Sequence, residues 1–258
     1  MKKYFRELFR RKDLIRYLVT SNLKAQHRNS VLGYLWWMLD PLLSVLVYYF
    51  LVVIIMKRGG PGYGPFLVVG LVVFKSIAAN NSTAARAIVN QAGIIKQVYL
   101  PKVVFPLATS LAQLINFIFG VLVIILFLIF NKIPIGLNIL WFPFILIIHL
   151  IFMSAVSLVI SYYCVFLRDI ENFIVHINML LRYGSPVIWE ASSLPKKVRI
   201  IADINPITAF LNSYRNIFLY NSPPEITRLL LFGTLSIVLI VSVIYLYNKT
   251  EHKIVKVL

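Results

Sequence analysis

Asn178, Arg182, Ser185 and Trp189 follow one another at steps of four, three and four inside an apolar run. That spacing stacks an amide, a guanidinium, a hydroxyl and an indole on one helical face. An arginine at membrane depth is a candidate functional group by default, because the bilayer penalises its charge until something pairs with it. Arg182 is suited to meeting a phosphate on a lipid carrier, although packing explains such a stripe as well. Ser76, Asn80, Thr83 and Ala87 repeat the same steps beside Lys75, and Ser154, Ser157, Ser161 and Cys164 form a seam at three, four and three. Small polar residues at such spacing hold membrane helices together, so packing is the simpler reading of these two. Tyr34, Trp36, Trp37, Tyr48, Tyr49 and Trp189 cluster near the ends of apolar runs. Aromatic faces suit sugar rings, and the same positions also suit an interfacial aromatic belt.

Asp40 and Pro41 interrupt the stretch Val31-Leu-Gly-Tyr-Leu-Trp-Trp-Met-Leu-Asp-Pro-Leu-Leu43. A carboxylate one to two turns inside a span reaches headgroup-level water or a cation, and a proline removes a helical hydrogen bond. The pair is expected to form a hinge at the entry of the first span, with Asp40 pairing to a basic residue of the N-terminal segment.

Other chemistry has no carrier. There is no G-x-x-x-x-G-K-[ST] phosphate loop and no H-E-x-x-H, and Cys164 is the only cysteine. The four histidines stand singly, and Asp169 with Glu171 is the only close acidic pair beside a span end. Neither a metal, a cofactor nor a catalytic set is therefore expected in this chain.

The elements that must position these groups are membrane helices. With 60% hydrophobic and 14% charged residues over 258 positions, the sequence is far too apolar for a soluble domain. The 26 Lys and Arg against 9 Asp and Glu give a net charge of +17. The basic residues lie mostly between the apolar runs, which speaks for topology and anionic lipid contact and against nucleic acid. Runs at about 33–56, 66–87, 104–130, 139–166, 171–189 and 224–247 predict six transmembrane helices in an all-α, polytopic fold. An even number puts both termini on one side. Nine basic residues precede position 32, which places that side in the cytoplasm. Residues 1–30 carry Phe5, Leu8, Phe9, Ile15, Leu18 and Val19 among cations, the pattern of an amphipathic interfacial helix. Residues 190–223 are too polar to cross. Asn205-Pro206 supplies a cap and a first-turn proline, so two short external re-entrant helices are expected there.

Three segments carry a family resemblance. Leu23 through Leu43, Asn90 through Pro106, and Ser185-Pro-Val-Ile-Trp189 continued by Leu194-Pro195 and Asn205 to Arg215 resemble the membrane subunits of ABC-2 type exporters of polysaccharides and polyol phosphates. These occur in the right order over nearly the whole chain. Gln26-His27 and Asp40 depart from the common pattern of that family, which shows Arg-Tyr and Asn there.

The resemblance implies a single ABC-2 transmembrane domain over 1–258 in the bacterial plasma membrane, forming a homodimer with two ATP-binding partner subunits that bind ATP and Mg. It also implies export of a lipid-linked glycan of O-antigen or teichoic-acid type. A coupling segment within 88–103 would present Ile94, Ile95, Val98 and Tyr99 as an apolar face and Lys96 and Lys102 as a polar one. Tyr34, Trp37, Tyr48, Arg182, Ser185 and Trp189 would line the pathway. The rival readings are an ABC-2 exporter of a drug or small lipid and a membrane-embedded glycosyl- or phosphotransferase; the latter would want more acidic pairs.

Overall fold

A computed structural model describes residues 12–26, 30–57, 59–60, 62–97, 100–190 and 195–258. Among them every regular element is helical. In chain order these are α1 (Lys12–Gln26), α2 (Trp36–Ile55), α3 (Tyr63–Arg86), α4 (Ala92–Gln97), α5 (Val104–Phe130), α6 (Phe142–Phe166), α7 (Ile170–Gly184), α8 (Lys196–Ile204), α9 (Pro206–Phe218) and α10 (Ile226–Val257).

Five of them, α2, α3, α5, α6 with its preceding 3-10 turn, and α10, are long and apolar enough to cross a bilayer. Their bounds fall within a few residues of the predicted runs, except that α10 continues through the polar tail to Val257. The predicted run 171–189 is instead the 15-residue α7, about 22 Å long by helical rise, against a hydrocarbon core of about 30 Å. The local reason is Pro186. Its ring disfavours the helical region for the residue before it, and Ser185 is extended at φ −108°, ψ 153°.

Within the expected N-terminal helix, α1 is helical, and its Leu18 and Val19 are buried against the bundle. Residues 1–11 of the expected interfacial helix lie outside the described residues. Asp13 in its first turn and Lys24 in its last suit the helix dipole. The two short helices expected after position 190 are α8 and α9, and the Asn205 side chain caps α9 by accepting from the Ile207 N–H at 2.9 Å.

Two apolar cores stack along the bundle. One joins α3, the second half of α5, the first turns of α6 and nearly all of α9. The other joins α1, α4, the start of α5 and the last turns of α10. The N-terminal helix and the C-terminus therefore meet at one end. At that same end Arg86 of α3 pairs with Glu171 of α7. α3 is the most enclosed span, whereas α2 and α7 keep broad apolar faces open.

Candidate functional site

The predicted stripes separate once they are folded. Ser76 and Asn80 tie α3 to α6, with the Asn80 amide donating to the Met153 carbonyl at 3.0 Å. Ser157 donates to the Pro106 carbonyl and Ser161 contacts the Tyr247 hydroxyl at 2.9 Å. These residues pack helices, as expected of such seams.

The stripe on α7 divides by depth. Asn178 is buried, donating to the Ala78 carbonyl and the Ser82 hydroxyl at 3.1 Å each and accepting from Asn81 at 3.0 Å. One turn on, Arg182 is half-buried. Its Nη1 donates to the Tyr48 hydroxyl of α2 at 3.1 Å, and its guanidinium lies 5.4 Å from the centre of the Phe74 ring. Its Nε has no hydrogen-bond partner among the described residues. Ser185 is fully buried and accepts from the Asn205 amide at 2.8 Å. Trp189 donates to the Tyr183 carbonyl at 3.0 Å. It lines a cavity of about 900 Å³ with Tyr63, Phe66 and Tyr220. Tyr48 and Arg182 are thus brought together, while Ser185 and Trp189 sit near the α8–α9 region.

Nearer the α1 end of the same seam, Asp40 of α2 forms an ion pair with Lys75 of α3. The partner of Asp40 is therefore on the neighbouring span, in place of the N-terminal segment expected from sequence, because α2 lies along the α3 face that carries Lys75. The backbone of α2 remains α-helical through Pro41; it departs into π-helix later, at Phe50–Ile55. Trp37 packs against Phe119 of α5, the two rings tilted by 40° with centroids 4.5 Å apart. The side chain of Tyr34 lies outside the described residues.

The sequence reading missed a polar cleft between α1, α3 and α5. Gln113 donates to the Thr83 hydroxyl at 3.4 Å, and Asn116 donates to Gln113 at 3.2 Å and to Gln26 of α1 at 2.8 Å. Around this knot lie an outer chamber of about 430 Å³ toward Arg86 and an inner one of about 300 Å³ reaching Trp36, Asp40 and Lys75. Thr109, Gln113, Asn116 and Gly120 recur at four, three and four, the very spacing that flagged the other helices. The signal was present and sits in the most apolar span of the chain.

The coupling segment predicted from the resemblance contains α4. Ile95 is buried, in one core with Leu100, Val103 and Ile254, whereas Ile94 and Lys96 are exposed. Consecutive helical residues are about 100° apart, so Ile94 and Ile95 serve different surfaces, one exposed and one buried. Val98 and Tyr99 lie outside the described residues. Lys102, expected on the polar face, is buried and paired with Glu251 of α10 at 3.1 Å.

Arg215 of α9 is a second cation among apolar helices. Its guanidinium donates to the carbonyls of Pro186 at 2.6 Å, Val187 at 2.9 Å and Phe66 at 3.4 Å, and stacks 3.5 Å from the Phe66 ring centre. Gly70 makes room for it: a methyl there would collide with Arg215 and the Val187 carbonyl.

Residues 13–219 match the family described as ABC-2 type transporter. The chain is 29% identical over 247 residues to the O-antigen export system permease protein RfbA of Klebsiella pneumoniae, covering 95% of each chain. It is 27% identical over 243 residues to the protein of the same name from Myxococcus xanthus, covering 93% of each.

Proposed function

The chain belongs to the ABC-2 type transporter family, and from that premise we propose that it is the membrane subunit of an ATP-driven exporter of a lipid-linked polysaccharide. The names of its relatives point to an O-antigen-type glycan. It would act in the bacterial plasma membrane. α7 would supply the sixth crossing, with α8 and α9 dipping back from outside, and both termini would be cytoplasmic, in accord with the basic N-terminal segment.

Two copies would face each other across α2 and α7. Exposed Leu46, Val47 and Phe50 on one helix and Met179, Leu180 and Tyr183 on the other leave a broad apolar surface, and both helices flank the charged seam. The observation that carries this reading is a pair of polar contacts made by α2: Tyr48 meets Arg182 of α7, and Asp40 meets Lys75 of α3. Charges at membrane depth are tolerated where they face a partner or water. ATP and Mg would be held by two separate partner subunits. Closure of those subunits would press on α4, with exposed Ile94 and Lys96 meeting the partner and buried Ile95 carrying the movement into α5 and α10. The copies would part, the carrier phosphate would meet Arg182, and sugars would slide over Trp37, Tyr48 and Trp189 through many weak contacts.

The test is reconstitution with the ATP-binding subunits in liposomes and measurement of ATP-dependent glycan translocation. Arg182→Ala should lower export and substrate-stimulated ATPase together by about tenfold, the loss of one charge-assisted contact. Unchanged rates for both would remove Arg182 from the pathway.

A further inference from the structure

We propose that the cleft between α1, α3 and α5 binds the uncharged, hydroxyl-rich head of a glycolipid within a single subunit, before it reaches the seam between subunits. This rests on the export reading above and adds a recognition site to it.

The chemistry of the lining selects the ligand. Gln26, Thr83, Gln113 and Asn116 offer donors and acceptors side by side, carried partly by a helix that is otherwise apolar. Hydrocarbon cannot satisfy such groups, so an acyl chain is a poor occupant. An anionic phosphate is also poorly served, because the two cations at the ends of the cleft are already engaged, Arg86 by Glu171 and Lys75 by Asp40. What fits is a neutral group that both donates and accepts, and sugar hydroxyls do both.

Two further features point the same way. The Asn116 Oδ1 is buried and accepts no hydrogen bond from any described residue, although its amide nitrogen is doubly engaged. A buried acceptor left empty carries a free-energy cost that a ligand hydroxyl would remove. At the inner end Trp36 is partly exposed beside Trp37, and indole faces pack well on the C–H surface of a sugar ring. The two chambers, about 430 and 300 Å³, are at the lower end of small-ligand sites, roughly 300–1,000 Å³, which suits one or two sugar units and excludes a folded polymer.

The exporter complex, in lipid nanodiscs and without ATP, is treated with a photoreactive dodecyl maltoside, and labelled peptides are mapped by mass spectrometry. Label should fall on the segments carrying Thr83 and Gln113–Asn116. Unlabelled dodecyl maltoside should compete, and dodecylphosphocholine, with the same tail, should not. Gln113→Leu should reduce labelling by about tenfold, as for one well-made hydrogen bond. Asn116→Leu, which removes the open acceptor at similar volume and leaves no new charge in the cleft, should reduce it as well. Ile118→Ala, on the exposed face of α5, should leave it unchanged. Labelling insensitive to both cleft variants, equal competition by the phosphocholine, or label confined to α2 and α7 would each overturn the proposal. Because transport is not needed for the readout, normal glycan export with an unlabelled cleft would reject this site alone. A labelled cleft without glycan export would reject the export reading instead.

Discussion

Arg182 and Arg215 are both arginines among apolar helices, yet they occupy opposite kinds of surroundings. Arg215 is 2% exposed and gives its donors to three carbonyls and its face to Phe66. Arg182 touches one phenol hydroxyl and lies over the Phe74 ring, between helices with open apolar faces, while the Nε of each arginine is buried without a hydrogen-bond partner among the described residues. A cation that gives three hydrogen bonds to backbone carbonyls holds the fold. One that makes a single side-chain hydrogen bond beside open helix faces is a candidate contact for an anion that arrives and leaves. The same residue type therefore marks an anchor in the α9 region and a candidate contact on the α2–α7 side.

The contrast is broken most forcefully at the anchor. Arg215→Leu would strand buried carbonyls, each costing about 1–3 kcal/mol. It should lower thermal unfolding in detergent sharply or prevent recovery of folded protein, and Gly70→Ala should do the same by crowding the guanidinium. Stable, wild-type-like unfolding of both variants would show that α9 is held otherwise.

The next largest effect separates the two isoleucines of α4. Ile95→Asp places a charge in the core shared with Ile254 and should destabilise the chain by several kcal/mol, on the order of 3 or more. Ile94→Asp should leave unfolding unchanged and reduce co-purification of the ATP-binding subunits. Loss of assembly from neither variant would remove α4 from the coupling role.

Arg182→Ala sharpens the comparison from the other side. Its unfolding should stay within about 1 kcal/mol of the parent, the scale of one modest hydrogen bond, while export falls. A large loss of stability would move Arg182 into the class of Arg215. The smallest effect is expected at Asp40, whose side chain is 57% exposed in its pair with Lys75. Exposed pairs contribute about 0–1 kcal/mol. Asp40→Asn should be mild in export assays and Asp40→Leu worse, since only the amide can still accept from the Lys75 ammonium; equal export by both would make the pair dispensable.

The amino-acid order alone determined the membrane class, four span cores nearly to their ends, the two short helices after position 190 and the family. Each of these depends on local properties: sustained apolarity, basic connections, a capping asparagine before a proline, and recognisable segments in order. The early end of α7 was legible too, in Ser185-Pro186, although sheer apolarity argued for a longer run. The polar stripe of α5 was equally present and was masked by the most apolar of the spans.

Tertiary structure decided which partner each polar group found. Helical periodicity puts Asn178, Arg182 and Ser185 on one face, but it does not say that Asn178 and Ser185 are consumed by α3 and Asn205 while Arg182 stays open. Nor does it say that Asp40 meets Lys75 thirty-five positions on, that Ile94 and Ile95 part company, or that Lys102 is buried against Glu251. Spans are set by the free energy of transferring a segment into lipid, which sums along the chain. Pairings are set by which helices pack side by side, and that emerges only from contacts between residues far apart in sequence.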